Sequence, residues 1–258
     1  MRSIFLFPLL LWASIVSAKG IDQLAFEEKA VGTYAHYDIV AYEETFLGLG
    51  RMKTYIITYG ISEIYHDSDV LIQADTFCHA EHLTNFPIRS YVSDDFTRAI
   101  RPPAVALEVL PKDDSYIIYR PPTPTPIGVA MEANDPLPVD PDDPRIVDSD
   151  GDGNPGVTVT IEGPFPINKA ELYIARLEIF SYYLASDAQG GFAGHVVDKS
   201  HQLVVGSTNS LLRGQRNPAQ HPDPALSPIY LIPVDEGLGC DELMQQREAL
   251  FPPAPQIW

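Results

Sequence analysis

Basic residues, cysteine and tryptophan are scarce in this chain of 258 residues, and only one run is apolar enough to enter a bilayer. Lys and Arg together number 17 against 35 Asp and Glu, a formal charge of −18. A surface of that sign repels phosphate backbones and anionic headgroups, so no nucleic acid partner is expected. Phosphate-cradling loops are also missing: "GLGRMKT" is too short for one and sits where a hairpin turn is expected. There is no G-x-S-x-G elbow, and spacing assembles no Ser, His and Asp group. Nucleophilic catalysis therefore has no foothold, and the expectation is a non-enzymatic protein. Carboxylate pairs of the kind that hydrolyse glycosides arise by chance among 35 acidic residues and argue for nothing.

The one apolar run stands in "MRSIFLFPLLLWASIVSAKG", where Arg2 precedes an apolar stretch from Ile4 to Trp12 and the small residues Val16-Ser17-Ala18. This pattern predicts an export signal over residues 1–18, cut after Ala18, with residues 19–258 secreted or periplasmic. The stretch is short for a bilayer, no other segment spans one, and no cysteine follows the cut to carry a lipid anchor. Export leaves Cys78 and Cys240, the only 2 cysteines, in an oxidising compartment, where they are expected to form a disulfide. On "VLIQADTFCH", Cys78 shares parity with Val70, Ile72 and Ala74, and this predicts a core-facing side chain.

From Gly32 onward, β-branched and aromatic residues recur in short runs separated by Gly, Asp, Pro or Asn, the pattern of antiparallel strands. "TYAHYDIVAYEE", "RMKTYIITYGISEIY" and "DVLIQADTFCHA" read as a three-stranded meander. Further strands are expected over 104–110, 115–119, 157–161, 169–184, 192–199, 202–206 and 229–234. Strands this numerous with short connections predict an all-β fold, a single antiparallel barrel or else a two-sheet β-sandwich. A helix is expected only near the C-terminus, in "CDELMQQREALFPP". Between 121 and 155 proline and aspartate dominate, which predicts a long loop without sheet pairing inside a single β domain.

Within that loop, "VDSDGDGNPGVTVTI" concentrates acid just before a strand. Asp148, Asp150 and Asp152 match the first, third and fifth positions of a D-x-D-x-D-G loop, Gly153 permits the reversal, and the main-chain carbonyl of Asn154 falls at the seventh. Hard cations take six to eight oxygens, so calcium is the expected ion and its role structural. The nine residues resemble the calcium loops of dockerins and of thrombospondin type 3 repeats. The twelfth position, a bidentate carboxylate in those loops, is Val159 here, so the remaining oxygens would come from Asp140, Asp142, Asp143, Glu162 or water. An acidic solvated turn is the alternative.

His79, Glu81 and His82 fit neither spacing of a zinc helix, and on a strand His82 points away from the other two, so they read as a polar strand end. Tyr34, Tyr37, Tyr42, Tyr55, Tyr59 and Tyr65 crowd the first two strands and would line a cavity, stack on sugars or pack in the core. With "GTY" near the mature start, "RPPTPTPIG" and "DSDGDGNPGVTV", the chain resembles a group of uncharacterised secreted bacterial proteins of lipocalin-like cast, Tyr34 standing where lipocalins have Trp. The resemblance implies a β-barrel and no particular activity. The reading is an exported barrel with a calcium loop, holding a small apolar or amphiphilic ligand. Its alternative is a calcium-stabilised sandwich that binds carbohydrate or a cell surface.

Overall fold

A computed structural model describes residues 20–46, 48, 50–132, 134–214 and 218–258, so the expected export signal lies outside the described residues. A short helix α1 (Ile21–Ala30) leads into the meander of β1 (Gly32–Thr45), β2 (Arg51–Asp67) and β3 (Val70–Thr84). There follow β4 (Arg89–Val92), helix α2 (Asp94–Ala99), β5 (Val105–Ala106), β6 (Glu108–Lys112), β7 (Ser115–Ile127) and β8 (Val157–Glu162). The rest is β9 (Lys169–Ser186), β10 (Phe192–Asp198), β11 (His201–Ser207), β12 (Ala219–Gln220), β13 (Pro228–Val234) and α3 (Cys240–Leu250). Helices α1 and α2 were not expected from pattern; α2 is a single capped turn, the Ser93 hydroxyl accepting from the Phe96 amide at 3.0 Å.

All thirteen strands join one antiparallel sheet rather than two stacked ones, with the path β4-β8-β9-β10-β13-β1-β2-β3-β5. Strand β9 is its hub. Along one edge it pairs first with β11 and then with β10, and along the other with β8 and then β7. The sheet curls into a half-barrel, and β4 at one end of the path comes back toward β3 near the other, His82 Nδ1 lying 2.9 Å from Ser90 Oγ.

One expectation is corrected. The proline run is not loop throughout: β7 continues through Thr123, Pro124, Thr125 and Pro126, paired to Phe180, Ile179, Glu178 and Leu177 of β9. Prolines at alternate positions confine the missing donors to one edge, and β6 pairs with β7 only as far as Tyr119. The stretch outside the sheet is therefore 128–156, an excursion between two collinear strands that closes on itself through a bridge between Val129 and Ile146. Its ends are clasped where Gly128 and Gly156, both at positive φ, approach each other and the Ile174 carbonyl too closely for any Cβ.

Cys78 keeps the parity expected for it, with Val70, Ile72 and Ala74, and that parity belongs to the outer face of the curl. Leu71 and Gln73 face the inside of the curl while Val70 is exposed. A bulge between Tyr59 and Gly60 then shifts the β3 register, Tyr59 facing His79 but Gly60 facing Phe77. Cys78 lies on the outer face, and beyond the bulge Ala80, His82 and Thr84 are the residues that turn inward. Cys78 is nonetheless fully buried and bonded to Cys240, because α3 and the C-terminal segment cover the outer face.

Strand β1 is therefore buried on both sides. Tyr34, Val40 and Tyr42 face inward, and Ala35, Tyr37, Ile39 and Ala41 face an outer core completed by Leu243 and Phe251. The tyrosines divide the same way: Tyr37, Tyr55 and Tyr59 are in the outer core, Tyr34 is in the inner one, and only Tyr65 of the six is exposed. At one end of the curl α1 inserts Phe26 against Tyr116 and Phe192.

Candidate functional site

The inward faces do not fill the curl. A cavity of about 220 Å³ lies between β1, β2, β3, β4, β8 and β9, its walls apolar and formed by residues such as Val40, Ile56, Phe77, Ile161 and Ile174. Phe96, Thr97 and Ile100 of the α2 segment close one side. Alternation places these side chains: Val40 and Tyr42 on β1, and Thr54, Ile56 and Thr58 on β2, are successive members of one strand face. The half-barrel thus keeps an apolar-lined space that its own side chains do not fill.

The cavity is not uniformly apolar. Tyr42, His82, Arg176 and Glu178 form a polar end. Arg176 Nε is 3.5 Å from Glu178 Oε2, and its Nη2 is 3.5 Å from both the Tyr42 hydroxyl and Asp198 Oδ2. The Tyr42 hydroxyl donates a short hydrogen bond to Asp198. Burial, reinforced by the charges of Asp198 and Asp38 and opposed by Arg176, pushes the Glu178 carboxyl up to about 7. Burial and the Arg176 charge hold His82 down at about 4, so its imidazole is neutral.

Behind this end lies a second, fully buried network lining a small hollow that Glu178 also borders. His36 Nε2 donates to Asp38 Oδ2 at 2.9 Å, its Nδ1 is 2.9 Å from the Ser62 hydroxyl, and Ser62 donates in turn to Asp75. Gln73 donates to Asp75 and to the Tyr182 hydroxyl. Arg120 reaches Asp75 at 3.3 Å and lies over the Tyr182 ring, 5.3 Å from its centroid. Burial opposes charge on His36, but its bonds to Asp38 and Asp75 outweigh this and hold it up at about 9. Asp75 is well below the usual carboxylate range; burial works against it, and His36, Arg120 and Ser62 override that.

None of these charged residues was singled out in the sequence. The available signal was charge on the inward parity of apolar strands: His36 and Asp38 in step with Val40, and Arg176 and Glu178 in step with Ile174.

The acidic loop sits at the base of the 128–156 excursion, where the chain rejoins the sheet. One carboxylate oxygen from each of Asp148, Asp150 and Asp152 falls within 4.8 Å of the others, the only such group of three metal-ligating side chains among the described residues. Asp148 accepts from the amides of Gly151, Asp152 and Gly153, and Asp150 Oδ2 from Thr158. The side chain of Asn154 turns back to Asp152 at 3.1 Å. Burial raises the Asp150 carboxyl and the charges of Asp152 and Asp148 add to it, a repulsion that a cation would relieve. Two of the four further candidate carboxylates are engaged elsewhere: Asp143 holds Arg145, and Glu162 accepts from Tyr91.

His79 contacts Asp94 at 2.7 Å and Glu81 at 3.7 Å, while His82 turns inward to Ser90, so the three residues of the polar strand end do not converge.

No family model, curated protein or solved structure matches the chain. No helix among the described residues is long and apolar enough to cross a membrane.

Proposed function

We propose that this is an exported, non-enzymatic binding protein whose curled sheet acts as a lipocalin-like barrel, holding a small apolar or amphiphilic molecule inside. The observation that carries the reading is the cavity itself: apolar walls drawn from six strands around space that no side chain fills. At about 220 Å³ it is smaller than the roughly 300–1,000 Å³ of sites for drug-sized molecules, which favours a short, slender ligand. The carbohydrate-binding alternative needs a flat exposed row of tyrosines, whereas five of the six candidate tyrosines are buried. Export is supported by the disulfide, a feature of oxidising compartments.

Binding is tested with N-phenyl-1-naphthylamine, whose fluorescence rises in apolar surroundings. Saturable binding is expected, and Ile56→Trp, which fills the cavity from β2, is expected to abolish it while the protein still melts cooperatively. A probe bound equally well by that variant would sink the reading.

In the same proposal, calcium bound by Asp148, Asp150, Asp152 and the Asn154 carbonyl orders the start of β8. The convergence of three carboxylates supports this, with the further oxygens supplied by water. Calorimetric titration of metal-stripped protein is expected to show one site and a raised melting temperature, both lost in the Asp150→Ala, Asp152→Ala double variant. Absence of heat would reduce the loop to an acidic turn.

A further inference from the structure

With Glu178 ionised, the polar end of the cavity is short of one positive charge. Its two connected networks contain four carboxylates, Asp38, Asp75, Asp198 and Glu178, but three cations, His36, Arg120 and Arg176. Three of the carboxylates accept hydrogen bonds, Asp38 only through Oδ2, its buried Oδ1 having no partner among the described residues. Asp38 takes His36, Asp75 takes Ser62, Gln73 and Arg120, and Asp198 takes Tyr42 and the Ser200 amide. Glu178 is the remainder. It lines the main cavity and has Arg176 at 3.5 Å, but among the described residues no hydrogen bond is made to its carboxylate.

We propose, resting on the reading of the cavity as an amphiphile site, that its occupant carries a cationic amine head seated against Glu178 with its apolar chain along the β1, β2 and β8 walls. An ammonium there completes the charge balance and supplies the donors that the Glu178 oxygens lack. A carboxylate head would have only Arg176 to meet, and Arg176 is already shared among Asp198, Glu178 and Tyr42, so an added anion would face two carboxylates for one guanidinium. A neutral hydroxyl head would leave the charge unbalanced. The groups facing Glu178 are Arg176 on its own strand, Asp198 of β10, Asp38 of β1 and Arg120 of β7, with Tyr42 and His82 beside it in the cavity and His36 and Asp75 across the small hollow. Glu44 lines the cavity further along β1.

The experiment displaces N-phenyl-1-naphthylamine from the full chain with dodecylamine, dodecanol or dodecanoate, each below its micelle concentration. At about pH 8 Glu178 is mostly ionised and the amine protonated. Dodecylamine is then expected to compete at least roughly tenfold better than either other probe, the scale of a charge-assisted hydrogen bond. At about pH 5.5 Glu178 is protonated, whereas His82 near 4 and His36 near 9 keep their charge states, so the preference is expected to disappear in the unaltered protein. Glu178→Gln is expected to remove it at both pH values while leaving dodecanol within about threefold. Dodecanol binding without amine preference, a preference for dodecanoate, or an amine preference that survives Glu178→Gln would each overturn the inference and leave the amphiphile site standing. Failure of all three probes to displace, or of the fluorophore to bind, would overturn both.

Discussion

Tyr37, on the outer face of β1, stacks on Phe251 just beyond α3, their ring centroids 5.2 Å apart and the planes inclined by 19°. The C-terminal segment thus supplies the outer half of a second core, with Tyr59 also against Phe251 and Tyr55 against Trp258. Phe251 is buried, so Phe251→Ala is expected to cost about 3–5 kcal/mol in urea unfolding, the range for removing a buried aromatic. Because this core lies on the other face of the sheet from the cavity, N-phenyl-1-naphthylamine affinity is expected to be unchanged under native conditions.

The disulfide fastens the same layer. Cys78 and Cys240 are 162 residues apart, and chain entropy for a loop of that length corresponds to about 5 kcal/mol as an upper figure. A Cys78→Ala, Cys240→Ala double variant is expected to unfold at markedly lower urea, with a steeper loss than Phe251→Ala. An unchanged midpoint would mean that the denatured state is already compact across that span.

Stability is expected to fall as the solution becomes alkaline. His36 is charged in the fold up to about 9 but only to 6.5 when unfolded, so its stabilising contribution is complete below 6.5 and is lost as pH rises through 9. Asp75 acts in the opposite sense: its depressed carboxyl stabilises above the ordinary Asp range and ceases to do so on acidification. Melting temperatures measured from about pH 6 to pH 9.5 should decline, and His36→Gln should flatten that limb while lowering stability throughout.

Gly194 of β10 lies so close to β9 that a Cβ would sit 1.7 Å from the Tyr183 carbonyl oxygen. Gly194→Ala is expected to lower stability by about 3 kcal/mol or more, since backbone must move. Gly214→Ala, where a Cβ meets nothing within 4 Å, is the control and should melt with the unaltered protein.

Much of the strand plan was legible because burial on a pleated sheet imposes a period of two, and that period is written into stretches of β2 and β13. The disulfide was legible because two cysteines leave one pairing, and the acidic triad because neighbours at alternate positions of a tight turn converge without help from the rest of the fold. The proline run misled because proline opposes sheet pairing only where a donor is needed, and whether one is needed depends on which edge of β7 finds a partner.

The site belongs to the tertiary structure. A period of two separates a strand into two faces but does not say which face the curl encloses, and β1 is buried on both. The bulge opposite Gly60 exchanges the faces of β3 partway along, so that Ala80, His82 and Thr84 continue the inner face of Phe77 on the other parity. The charges of the polar end come from positions 38, 75, 120, 176, 178 and 198, which no local pattern connects. Only the winding of β1, β3, β7, β9 and β10 into one curled sheet brings them within reach, where the low polarity of the interior makes each unpaired charge costly and so makes their pairing consequential.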